Sequence, residues 1–137
     1  MHLDLSKTSI ELLRDGPLAP VGIGPAKERL TTVHALIDTG ADSSFVSTRL
    51  VTELSLIRCD ELDRTGADVH GPQTWKVVEA HIEMGRLGIP SPRRFAVYPN
   101  PMRKWDVVVG RDILQLLDMV YEGPRGMVLL GRPGELS

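Results

Sequence analysis

The sequence predicts a mostly-β domain of short strands joined by tight turns, with one or two small helices. Three observations carry this. The apolar residues fall in short aliphatic runs of strand length, bounded by turn residues. The 13 glycines and 10 prolines are spread along the chain as turn punctuation, with no linker, repeat or low-complexity stretch. Aromatic residues make up 4% of the chain, so Val, Leu and Ile must fill the core.

Residues 3–13 admit two readings. Leu3 and Leu5 alternate as in an edge strand, while Thr8 and Glu11 have the spacing of a capping box that opens a helix. Asp15-Gly16-Pro17 is a turn. Leu18 to Ile23 reads as a strand ended by Gly24-Pro25, and Thr31 to Ile37 as a buried strand running into Asp38-Thr39-Gly40. Ser44-Phe45-Val46 resumes extended structure, and Ser47 caps a short helix through Leu54. The stretch 65–72 is turn-rich. Trp75 to Met84 alternates as a strand does, and Arg94 to Tyr98 is another strand, broken by Pro99-Asn100-Pro101. Trp105 to Val109 is a short apolar strand. Gly110-Arg111-Asp112 then turns into a helix whose Ile113, Leu114, Leu116 and Leu117 face the core. Met119 to Glu122 and Met127 to Leu130 form a closing hairpin around a Gly-Pro-Arg-Gly turn.

At 137 residues the chain fits one domain able to bury a core without staples. A net charge of −2 supplies no basic footprint for nucleic acid or an anionic membrane. A lone cysteine, Cys59, leaves no internal disulfide, so a reducing, cytoplasmic setting is expected. The N-terminus lacks the apolar core of a signal peptide, and no apolar run reaches membrane-spanning length. His2, His34, His70 and His81 have no zinc spacing, and there is no P-loop or nucleophile elbow. No metal or cofactor is expected. Trp75 and Trp105 read as packing residues.

The informative segment is Ala35-Leu36-Ile37-Asp38-Thr39-Gly40-Ala41-Asp42-Ser43-Ser44: an acid at the end of an apolar strand, then a hydroxyl, a glycine and a small residue. It resembles the aspartic protease signature, hydrophobic-hydrophobic-Asp-Thr-Gly-Ala. A second segment, Val107-Val108-Val109-Gly110-Arg111-Asp112-Ile113-Leu114, is similar to the apolar-apolar-Gly-Arg-Asp/Asn-apolar-Leu element near the C-terminus of retropepsins. Residues 16–24 also resemble the strand that precedes the signature in retroviral proteases.

The resemblance implies an all-β, closed retropepsin-like barrel with one short C-terminal helix, working as a two-fold homodimer. Residues 1–13 are then an N-terminal extension, placed to cover the cleft or the dimer edge, and residues 14–137 the protease domain. It implies Asp38 as the catalytic carboxylate, Thr39 bonding across the dimer axis and Gly40 lining the cleft. Ala41 and Asp42 meet the substrate, with Asp42 also forming a buried pair with Arg111. Ser43 stands where retroviral members often have a second acid. Turn content places the flap tip at Val69-His70-Gly71. Val108 reads equally as a substrate-pocket wall or a core residue. Peptide hydrolysis by this chemistry needs two facing carboxylates sharing a proton, and the chain carries one Asp-Thr-Gly. A symmetric partner supplies the second Asp38. The expected activity is that of an aspartic endopeptidase acting on an extended peptide or protein. The alternative is a retropepsin-like dimerisation or peptide-binding module with little or no proteolysis.

Overall fold

The structure is a computed structural model. It describes residues 2–59, 64–68, 71–98 and 104–136, with residues 64–68 and 71–74 described by their backbone alone. In chain order the elements are β1 (Leu3–Asp4), α1 (Ser9–Asp15), β2 (Leu18–Ala26), β3 (Arg29–Ile37), β4 (Phe45–Ser47), α2 (Thr48–Leu54), β5 (Ile57–Arg58), β6 (Arg64–Asp68), β7 (Gly71–Glu83), β8 (Arg93–Tyr98), β9 (Val107–Val109), α3 (Arg111–Leu114), β10 (Asp118–Glu122) and β11 (Met127–Gly131).

The main sheet runs β2-β3-β9-β4-β8-β7-β5, and a further pairing of β2 with β7 closes β2 through β7 into a six-stranded barrel. Closure removes the open edges of the strands it includes. Most neighbours are antiparallel. The exceptions, β3 with β9 and β4 with β8, place β9 between the strand before the Asp38 turn and the strand after it. Val107 and Val109 are fully buried there, so the apolar run Val107-Val108-Val109 occupies an interior strand.

Alternation sorts the side chains. Ala19, Val21 and Ile23 of β2, Ala35 and Ile37 of β3, and Val78, Ala80 and Ile82 of β7 turn inward. They meet Phe95, Leu50, Ile113, Met84 and Leu130 in one aliphatic core. Each helix begins on a local signal. Thr8 accepts the Glu11 N–H at 3.1 Å while Glu11 reaches back to Thr8, which completes the capping box of α1. Ser47 accepts the Leu50 N–H at 3.1 Å and so starts α2.

Both readings of residues 3–13 are realised in succession. Leu3 and Asp4 pair with Leu130 and Leu129 of β11, and the capping box then opens α1. The segment is built into the domain. Leu5 and Leu12 belong to the core, and Leu5 N–H donates to the Val128 carbonyl at 2.8 Å. The resulting small sheet runs β1-β11-β10. Asp15, at the end of α1, bonds both Arg14 and Lys104, and these cations hold its carboxyl well below the usual carboxylate range. One expectation fails: α3 is a single turn ending at Leu114, so Leu116 faces out, 36% exposed, while Ile113 is fully buried.

Among the described residues no helix is long and apolar enough to cross a membrane, and no cluster of His, Cys, Asp and Glu is placed to hold a metal ion. Cys59 is buried.

Candidate active site

Asp38 follows the last residue of β3 and prolongs its ladder, donating its N–H to the Val109 carbonyl at 2.9 Å. The chain then turns at once. Gly40 N–H donates to Asp38 Oδ1 at 2.8 Å, and Ala41 N–H to the Asp38 carbonyl at 3.2 Å. The first bond fixes the rotamer of the acid with a backbone donor. A Cβ at Gly40 would sit 3.1 Å from that Oδ1, so glycine leaves the carboxyl its place. Asp38 is half-buried, and Thr39 and Gly40 are exposed beside it.

The turn is clamped from behind by the start of α3. Arg111 N–H donates to the Ala41 carbonyl at 2.8 Å. Gly110 lies so close that a Cβ there would fall 2.5 Å from the Ser43 carbonyl oxygen and 2.8 Å from that of Ala41. Both are backbone atoms, so no side chain can be accommodated without moving the turn. Ser44 closes the clamp. Its Oγ–H donates to Asp112 Oδ1 at 2.6 Å, its Oγ accepts the Gly110 N–H at 2.9 Å, and its own N–H donates to Asp112 Oδ2 at 3.1 Å. Ser44 is fully buried, and these bonds satisfy its polar atoms. The two motifs picked out in the sequence thus form one hydrogen-bonded unit.

The expected buried pair of Asp42 and Arg111 is corrected. Both side chains are exposed, and no ion pair joins them among the described residues. Arg111 instead donates to the Thr39 carbonyl at 2.7 Å, which braces the residue next to the acid. A charge-assisted bond to a carbonyl needs no second ion to be desolvated, and the exposed Asp42 stays hydrated.

Val108 is half-buried, unlike Val107 and Val109 on either side. It pairs with Leu36 across one ladder and with Phe45 across the other. All three are half-buried between buried neighbours, so they form a row on the face opposite the core. Asp38, two residues beyond Leu36, shares that face. The row ends in aromatics: Phe45 meets Trp75 edge-on at 5.3 Å between centroids, and Trp75 stacks on Tyr98 at 5.8 Å. Trp75 is therefore a packing residue that stiffens one end of an apolar surface. The sequence did not single out Leu36 or Phe45, although their alternation with buried neighbours was the available signal.

Antiparallel pairing of β6 with β7 puts Asp68 opposite Gly71. The expected flap tip, Val69-His70-Gly71, overlaps this pair at Gly71. Val69 and His70 themselves lie outside the described residues.

A family model described as aspartyl protease matches residues 26–133. The fold is similar to EIAV protease in complex with the inhibitor HBY-793, with a TM-score of 0.51 and 27% identity, over 72% of this chain and 85% of that one. It is also similar to a retropepsin-like aspartic protease from Rickettsia conorii, with a TM-score of 0.65 and 10% identity, over 95% of this chain and 90% of the other. No curated protein is a significant sequence match.

Proposed function

This chain belongs to the aspartyl protease family, with a retropepsin-like fold, and we propose on that footing that it is an aspartic endopeptidase working as a homodimer. The observation that carries the reading is Asp38: an acid oriented by the Gly40 N–H, on a turn locked to the Gly110-Arg111-Asp112 element, at the end of an apolar row.

Each chain has one such acid, and water attack on a peptide bond without a metal or nucleophile uses two. Two copies related by a two-fold axis bring the Asp38 carboxyls together. One takes a proton from water as the other donates to the peptide carbonyl oxygen. Thr39 bonds across the axis, its carbonyl braced by Arg111 within the protomer. Gly40, Ala41 and Asp42 offer the substrate main chain its partners. The segment 69–71 covers it as a flap, and the substrate lies extended as an added strand. Leu36, Val108 and Phe45 form the wall for apolar side chains flanking the cleaved bond.

The test is a diverse peptide library digested by wild type and by Asp38→Asn, read by mass spectrometry. Specific cuts between apolar residues, lost in the variant, are expected. Peptides bound but uncut by the wild type would assign the chain to the binding-module class instead.

A further inference from the structure

A groove of about 590 Å³ lies at the end of the barrel away from Asp38, between the connection of β2 to β3 and the connection of β7 to β8. That volume is in the range of about 300–1,000 Å³ typical of ligand sites. We propose that this groove is a second binding site, taking an acidic segment of a polypeptide at a distance from the cleaved bond. The choice of a polypeptide rests on the endopeptidase reading above.

Two features point to an anion, and a third to a preformed site. Lys27 and Arg86 line the groove with Glu83 as its one carboxylate, and none of these side chains has a hydrogen bond or ion pair among the described residues. The cations are therefore not neutralised by the protein itself. Nδ1 of His81, on the same wall, is buried without a hydrogen-bond partner. A turn of the imidazole ring that brings this nitrogen to the groove surface would let it donate to a carboxylate oxygen. The wall is also rigid. Ser91 Oγ–H donates to the Ile82 carbonyl at 2.9 Å and its Oγ accepts the Ile82 N–H at 3.1 Å, so the loop is pinned to β7. Leu30 adds an apolar floor for the stem of an acidic side chain.

The spacing defines what a substrate must carry. Leu30 lines the groove and Asp38 directly follows the same strand, a path of about 26 Å at the rise of an extended chain. A polypeptide spanning both sites needs roughly eight residues or more between its cleaved bond and its acidic segment.

The test is fluorescence anisotropy of a labelled decapeptide of alternating Glu and Ser, titrated with the full chain at low salt. Its Lys–Ser counterpart and free succinate are run beside it. Saturable binding of the Glu–Ser peptide is expected, at least tenfold weaker for the double variant Lys27→Glu with Arg86→Glu, together with a shift of the His81 ring resonances on binding. Both residues are exposed, and an unchanged thermal melt certifies the variant's fold. No binding, binding equal in the double variant, or equal binding of the Lys–Ser peptide would overturn the site. Succinate bound as tightly as the peptide would overturn the polypeptide as its occupant. Binding is read without turnover, so a chain that cuts nothing but holds the acidic peptide loses the endopeptidase reading and keeps the groove.

Discussion

Replacing Ser44 by Ala tests whether the clamp behind Asp38 is what holds the turn. Ser44 Oγ is the hub: it donates to Asp112 Oδ1 at 2.6 Å and accepts from Gly110 N–H at 2.9 Å, in a residue with 0% exposure. Alanine leaves the Gly110 N–H buried and unpaired, at about 1–3 kcal/mol, and deletes a bond to a carboxyl group. Asp112 retains the Ser44 and Ile113 N–H groups at 3.1 and 2.9 Å, so the second loss is partial. Together the substitution costs about 2–4 kcal/mol. In a domain of this size that is a fall in Tm of about 6–15 °C. Urea denaturation measures it directly, with an unchanged m-value expected because the fold is retained. A double-mutant cycle with Asp112→Ala should give a coupling of about 1–3 kcal/mol. Activity should fall further than stability does, because the freed turn carries Asp38. A loss below about 0.5 kcal/mol, the level of a neutral surface change, would refute the clamp.

Two further substitutions probe the charges around the turn and the α1 end. Arg111→Ala removes the brace on the Thr39 carbonyl at an exposed site, so a stability loss near 1 kcal/mol is expected in denaturant titrations, with a larger drop in activity. A loss of several kcal/mol would restore the buried ion pair with Asp42. Asp15→Asn tests pH dependence. Arg14 and Lys104 lower the folded-state value of Asp15 below its ordinary 3.8, so its stabilisation is present at neutral pH and is lost as pH falls through the acid range. The variant should be less stable than wild type at pH 7, and the two melting temperatures should converge towards pH 2. Parallel curves across that range would show that the cluster does not act on folding.

Much of the fold was legible because its signals are local. The capping box at Thr8 and Glu11, the Ser47 cap and the hairpin of β10 with β11 each depend on residues a few positions apart. The Asp38 turn was legible for the same reason, since Gly40 lies two residues from the acid it orients. What escaped was long-range. Ser44 and Asp112 are 68 positions apart, and a buried hub serine has the same letter as any turn hydroxyl. Arg111 had two acceptors within one turn, the Asp42 carboxyl and the Thr39 carbonyl, and spacing does not record which of them it takes. Leu116 was misplaced because an apolar pattern suited to a longer helix is cut off after one turn. The intercalation of β9 between β3 and β4 joins strands about 60–70 positions apart, a pairing that no window of sequence contains.

The central claim is that two chains build one site, each giving one Asp38. Mixing tests it most directly. Wild-type and Asp38→Asn chains are unfolded together, refolded at fixed total concentration, and assayed on one library-derived substrate across the mixing range. If both carboxyls of a dimer are needed and chains pair at random, activity follows the square of the wild-type fraction, reaching about one quarter at equal mixing. A linear decline to one half would mean that a single Asp38 suffices in each chain, and would contradict the shared site.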